Sequence, residues 1–315
     1  MKVMKRLNEK DIIKIFQSKK FTPEDVEIFR IGSQMCASNI DTLVESTDIP
    51  PRSNFMDIAR KSVVSSVSDF AAKGILPKFC MISVTIPKKI SKKHIIELST
   101  GFKKACKEFS LELLGGDTNA GKEIVIHVVL FGKVEKIVPR NGAKNGDIII
   151  TTGSFGYTSA ALEILLKKKK STMAFRNLAK TRFFHPNPRL DFGILCKNLL
   201  TSSIDSSDGL SSCLQELSSS SKKRFVVTKL PVKDDVKDFV RSNGLDLKNT
   251  IFNGGEEFEL LCTTPSKNLK KIKKIAKKLK IDLYEIGFVT KGKYPVLENN
   301  GKQYRIKDSG WSHFS

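Results

Sequence analysis

Histidine and cysteine, on which many nucleophilic and transition-metal sites depend, are scarce in this chain and never fall into a working spacing. Its six cysteines, Cys36, Cys80, Cys106, Cys196, Cys213 and Cys262, form no CxxC pair. That excludes a zinc ribbon or a dithiol motif and leads us to expect a reducing, cytoplasmic setting. The four histidines, His94, His127, His185 and His313, stand apart from the acidic segments discussed below. GSFGY (153–157) breaks the G-x-S-x-G pattern, so a nucleophile elbow is excluded. No apolar run approaches the roughly 20 residues that cross a bilayer. The opening MKVMKRLNEKD also lacks the apolar core of a signal peptide. No membrane partner is expected.

Acids are also in deficit. Lys and Arg number 55 against 33 Asp and Glu, a net charge of +22. Such a balance raises the question of a nucleic-acid partner. The lysines, however, cluster in runs such as 167–170 and KNLKKIKKIAKKLKI (267–281). In the second run Leu269, Ile272, Ile275, Ala276 and Leu279 recur at helical spacing with lysines opposite, which is the pattern of a solvated surface helix. No basic motif interleaved with aromatics accompanies it, so a nucleic-acid partner is not expected. The field would still draw in anionic nucleotides.

At 315 residues, 40% of them hydrophobic, the chain is long enough for one or two domains with real cores. Strand and helix patterns alternate. Helices are expected at 8–17, capped by Asn8, at 54–73, ending at Gly74, and from Ser91 to about 109. Strands are expected near 38–46 and at 79–86, and 112–138 reads as one long strand or a hairpin. The turn-rich PRNGAKNGD (139–147) suggests a boundary, giving domains 1–140 and 141–315. Beyond it, strands near 147–151, 203–205, 224–228, 258–264 and 283–289 alternate with helices at 157–167, after 191, after 208, at 233–242 and in the lysine-rich stretch. The expected class is α/β (α+β) in two halves.

GDTNAGK (116–122) fits G-x-x-x-x-G-K, the spacing of a phosphate-binding loop. The motif fails mechanistically. Glu123 stands where Ser or Thr should hold a metal, and EIVIHVVLF after it reads as strand rather than helix.

What the chain does have is carboxylates beside glycine or serine at predicted strand ends. They lie in SVSDFAAKG (Asp69), LLGGDTNAG (Gly116, Asp117), SIDSSDGL (Asp205, Asp208) and NGGEEFEL (Glu256, Glu257). Glycine lets a bulky anion approach the backbone, and carboxylates there suit a hard divalent cation that also takes substrate phosphates. Such a set points to phosphoryl transfer, in which the protein mainly positions reactants and offsets charge. Singly, each segment also reads as a turn or a helix cap. Asp69 falls inside a helix, where an acid needs some reason.

Taken in order, these segments resemble the thiamine-monophosphate kinase family, within the aminoimidazole ribonucleotide synthetase superfamily. The resemblance rests on DTLVESTDIPP (41–51), ARKSVVSSVSDFAAKGILP (59–77), LLGGDTNAG (113–121), PRNGAKNGDIIITTG (139–153), SIDSSDGL (203–210), NGGEEFELL (253–261) and GWSHF (310–314). It implies an aminoimidazole ribonucleotide synthetase-like fold of two α/β domains, the N-terminal one dimerising so that the nucleotide site is built across a homodimer. The implied reaction is transfer of the γ-phosphoryl group of ATP to thiamine monophosphate, with several Mg2+ ions. By motif position Asp41, Asp69, Asp117, Asp205 and Asp208 would bind metal. Arg140, Ser207, Gly116 and Asp117 would meet ATP, and Asp48, Glu256 and Trp311 would face the thiamine end. Trp311 reads equally as a ring stacked on the cationic thiazolium or as a hydrophobic plug.

One departure stands out. The family's Gly-Asp-Asp-Ala is matched here by Gly32-Ser33-Gln34 and the residues after them, so both acids are missing. An active kinase with fewer metal ligands, a changed preference and a non-catalytic relative all fit that loss.

Overall fold

The computed structural model describes residues 9–16, 24–51 and 53–311. Its chain forms two mixed sheets with helices packed between and around them. The first sheet comprises β1 (Glu27–Ile31), β2 (Gln34–Val44), β3 (Pro77–Pro87), β4 (Glu112–Gly121) and β5 (Val125–Lys133), in the order β1-β2-β5-β3-β4. A short helix α1 (Glu9–Phe16) precedes it; its expected cap, Asn8, lies outside the described residues.

β1 was not foreseen. It pairs antiparallel with β2 through a tight turn at Gly32, whose φ of 59° favours glycine. The stretch 112–138 is neither one strand nor a hairpin. β4 lies parallel to β3 on one side, and β5 antiparallel to it on the other. At Gly116 a Cβ would stand 1.6 Å from the Ile82 carbonyl oxygen, so only glycine lets β4 lie against β3 there. GDTNAGK is therefore mostly strand, and the phosphate-loop reading fails as expected.

The second sheet has seven strands: β6 (Ile148–Thr151), β7 (Ser202–Asp205), β8 (Arg224–Val227), β9 (Leu260–Thr264), β10 (Tyr284–Thr290), β11 (Val296–Asn299) and β12 (Lys302–Arg305). Their order is β12-β11-β8-β10-β6-β9-β7. The hairpin β11–β12 escaped the sequence reading, as did α6 (Met173–Phe184) and α10 (Leu247–Phe252). α5 (Tyr157–Lys167), α7 (Leu190–Cys196), α8 (Leu210–Ser221) and α9 (Asp234–Ser242) stand where helices were expected. In the lysine-rich α11 (Ser266–Lys278), Ile272 and Ala276 are buried, as the spacing requires.

The helix that organises the site is α3 (Phe55–Lys73); α2 (Glu45–Asp48) and α4 (Lys92–Glu108) complete this half. α3 begins where the Asn54 side chain accepts from the Met56 amide and ends on left-handed Gly74, as expected. Val63, Val67, Phe70 and Ala71 pack it on the first sheet, while its other side meets α7 and β7. The same apolar core continues through Phe192, Leu260 and Cys262, so α3 is a pillar shared by both halves. A polar residue on α3 thus faces groups from both sheets.

Candidate functional site

A cavity of about 830 Å3 opens beside α3. β2 and α2 form one wall, α5 another, and the loops around 207 and 255 close the far side. Six of the expected residues line it: Asp41, Asp48, Ser207, Asp208, Glu256 and Trp311. The loops are locked together by backbone. Glu256 N donates to Ser207 O at 2.7 Å, and Trp311 N donates to Asp208 O at 3.0 Å. A Cβ on Gly255 would meet the Ser207 carbonyl oxygen at 2.5 Å, which explains the glycine. Neighbouring Glu257 is buried and accepts from the Gly156 and Thr158 amides at the start of α5. Burial pushes its carboxyl up to about 7 despite those bonds, and its role is to tie this loop to the helix.

Next to the cavity lies a buried cluster of carboxylates. One oxygen each of Asp25, Asp69 and Asp205 falls within 4.8 Å of the others. Asp69 comes from α3, Asp205 from the end of β7 and Asp25 from the segment ahead of β1. Asp41, on β2, is linked to them through Asn39, whose Nδ2 donates to Asp69 Oδ2 at 2.8 Å and Asp41 Oδ2 at 3.4 Å. Ser68 Oγ donates to Asp205 Oδ2 at 2.8 Å.

These acids repel one another in a medium that solvates them poorly. Burial, reinforced by the charges of Asp41, Asp205 and Asp25, holds Asp69 well above the usual carboxylate range. Burial and then the Asp25 charge push Asp205 up to about 7. Burial also raises Asp41. Asp25 goes the other way. Burial would raise it, but Lys73 and Arg140 beside it bring it below its ordinary value. Lys73 Nζ stands 2.6 Å from both Asp25 Oδ2 and Glu24 Oε2. Crowded, partly protonated carboxylates of this kind suit a hard divalent cation, which would lower all the raised values together.

Several expectations need correction. The acids missing at Ser33 and Gln34 are not missing from the site. Those two positions lie at the β1–β2 turn, while Asp25, just upstream, joins the cluster and neighbouring Glu24 pairs with Lys73. The overlooked signal was Glu24-Asp25-Val26 before an unrecognised strand. Asp117 is not in a loop at a strand end. It sits mid-way along the exposed edge strand β4, accepts from Asn119 Nδ2 at 2.7 Å, and among the described residues neither lines the cavity nor joins the cluster. Gly116 has the packing role already given. Arg140 turns its guanidinium onto Asp25, with Nε 3.1 Å from Oδ1. Asp208 is not the helix cap: Gly209 occupies that position and no side chain caps α8. Asp48 closes α2 by accepting from the Val44 amide at 2.7 Å.

Comparison with known proteins agrees with this geometry. Residues 23–134 match the AIR synthase related protein N-terminal domain, and residues 144–298 match its C-terminal domain. A thiamine-monophosphate kinase of Nitrosopumilus maritimus is 51% identical over 313 residues, covering 99% of this chain and 100% of that one. The chain belongs to the thiamine-monophosphate kinase family. Another member, from Pyrococcus horikoshii, is 31% identical over 98% of this chain and 97% of its own. Among solved structures, AaThiL complexed with AMPPCP and TMP superposes with a TM-score of 0.86 at 28% identity, over 98% of this chain and 97% of that one. Matches to thiamine-monophosphate kinases thus run through cavity, cluster and both sheets alike.

Proposed function

We propose that this protein phosphorylates thiamine monophosphate to thiamine diphosphate with ATP and Mg2+. A terminal phosphate oxygen of thiamine monophosphate attacks the γ-phosphorus, the bond to the β–γ bridging oxygen breaks, and ADP leaves. No covalent enzyme intermediate is needed, which fits a cavity whose lining, among the described residues, holds no histidine or cysteine. The observation that carries the reading is the carboxylate cluster of Asp25, Asp69 and Asp205 at the edge of a cavity whose lining includes Asp48, Glu256 and Trp311. The named relatives support the choice of substrates.

Two polyanions must approach, and unit charges about 4 Å apart repel by roughly 4 kcal/mol at an effective dielectric of 20. Asp25, Asp41, Asp69 and Asp205 would hold magnesium, with Asp208 at the cavity side. Bound there, the metal supplies the positive charge that screens the phosphates. Arg140 and Ser207 serve the nucleotide, and Asp48, Glu256 and Trp311 the thiamine end. Asp117 joins them through a homodimer. β4 is an edge strand exposed along nearly its whole length, with Leu113 and Leu114 at 45% and 55% exposure, and such an edge is a template for a second copy. We place the domain boundary at residue 140, within the turn-rich linker, and the enzyme in the cytoplasm. The non-catalytic reading loses support, because Asp25 adds a carboxylate to the cluster that the motifs did not supply.

The test is direct. Purified protein given ATP, thiamine monophosphate and magnesium should release thiamine diphosphate and ADP in equal amounts, and none when magnesium is chelated. ADP release without thiamine diphosphate would reject the reading.

A further inference from the structure

One charged group in the cavity has no part in the assignments above. Lys61, on α3, is only 5% exposed and lines the cavity. A lysine is almost never so buried unless its charge is answered. Here the answer is partial. Nζ stands 2.7 Å from one oxygen of Glu256 and 3.9 Å above the ring of Phe183, and none of its N–H groups makes a well-directed hydrogen bond among the described residues. An ammonium has three donors. Capacity to bind a further anion remains.

The charge around it makes that capacity specific. Asp41, Asp48, Asp208, Glu163 and Glu256 also line the cavity. Among the described residues the other cation in the lining, Lys167, is 66% exposed at its side chain and pairs with Glu163 one helical turn away. Lys61 is therefore the buried cation in an acid-lined space. The helix adds direction. Lys61, Ser65 and Asp69 follow at i, i+4 and i+8, so they share one face of α3 and span about 12 Å at 1.5 Å per residue. Asp69 belongs to the carboxylate cluster at one end of this row; Lys61 and its partner Glu256 mark the other.

We infer that Lys61 binds the phosphate monoester of the acceptor, and so lets the cavity choose thiamine monophosphate over unphosphorylated thiamine. This rests on the kinase reading above. The dianion lies along the α3 face between Lys61 and the carboxylate cluster, and Lys61 Nζ donates to an oxygen that is not transferred. Glu256 holds the ammonium in place while the site is empty.

Calorimetric titration of the full-length protein tests this, with thiamine monophosphate and thiamine as separate ligands and with Lys61→Met and Lys61→Gln as variants. The native protein should prefer the monophosphate by at least about tenfold, the scale of one charge-assisted hydrogen bond. Each variant should lose most of that preference, bind thiamine within about twofold of the native protein and keep its KM for ATP. Weakening of both ligands by the same factor would overturn the inference and make Lys61 a clamp for Glu256. An unchanged preference in a folded variant would overturn it too. If Lys61→Met fails to fold, the neutral but polar Lys61→Gln carries the test, since it keeps a polar end against Glu256. Native protein that neither binds thiamine monophosphate nor makes thiamine diphosphate would instead sink the kinase reading, a separate result.

Discussion

Asp117 and Asp205 look alike along the chain, each an aspartate among small residues at the end of an apolar stretch. Their surroundings are opposite. Asp205 ends the buried strand β7, is 4% exposed and faces two other carboxylates, so its carboxyl is pushed up to about 7. Asp117 lies on the exposed edge strand β4 and answers to one asparagine amide. The same local chemistry thus gives a strained, ion-hungry group in one place and a solvated one in the other. What separates them is whether a second element, here α3 carrying Asp69, brings another acid against them. Asp205 meets other carboxylates within its own chain, whereas Asp117 joins no such cluster among the described residues.

That contrast can be broken at several points. The largest effect is expected from Asp205→Asn, which should lower turnover by about a thousandfold while leaving the fold intact, as loss of a metal-binding charge does. Near-normal kinetics would make Asp205 a merely structural acid.

Stability against pH is the next lever. Because the folded carboxyl of Asp205 titrates at about 7 against 3.8 unfolded, the native state holds a proton that the unfolded state has lost between those values. Stability of the chelated protein should therefore fall as pH rises from about 4 to 7, by up to about 4 kcal/mol from this group. Asp69 acts in the same direction, whereas the lowered Asp25 contributes stability that is lost only on acidification below its unfolded value. Thermal unfolding in chelator at pH 5 and 7.5 checks this; magnesium should restore the midpoint at pH 7.5, and Asp205→Asn should flatten the slope. A midpoint that climbs with pH in chelator would contradict the cluster's electrostatics.

For Asp117→Asn we expect a loss of about tenfold or more, with an interface signature. Mixed with inactive Asp205→Asn subunits and allowed to exchange, it should regain about a quarter of native activity, since half the dimers are mixed and half their sites intact. No recovery would place Asp117 outside the partner's site. The smallest effect belongs to Ser33→Asp with Gln34→Asp. These positions flank a hairpin turn, so activity should change by less than about twofold; a large gain would mean that the cluster is incomplete after all.

Much of the fold was legible because its signals are local. Asn54 and Gly74 bounded α3 correctly, Ser91 capped α4, and the apolar spacing of α11 named its buried side. The misses are of another kind. β1 is five residues with little burial, so no apolar pattern announced it. β4 and β5 follow one another in sequence but flank β3, a pairing no local pattern records. The site shows the same division. Asp41, Asp48, Ser207, Asp208, Glu256 and Trp311 could be named from their motifs and do line one cavity. Asp25 and Lys61 could not. Asp25 carries no glycine or serine signature, and Lys61 is one lysine among many until burial isolates it.

By itself, then, the sequence determined most helices, most strands and the kind of chemistry, since caps, periodicity and residue type act over a few neighbours. Only the tertiary structure decided which aspartates meet. Distances between carboxylates and the burial that raises their pKa values depend on α3 being held between two sheets from opposite ends of the chain. Such contacts leave no trace in spacing.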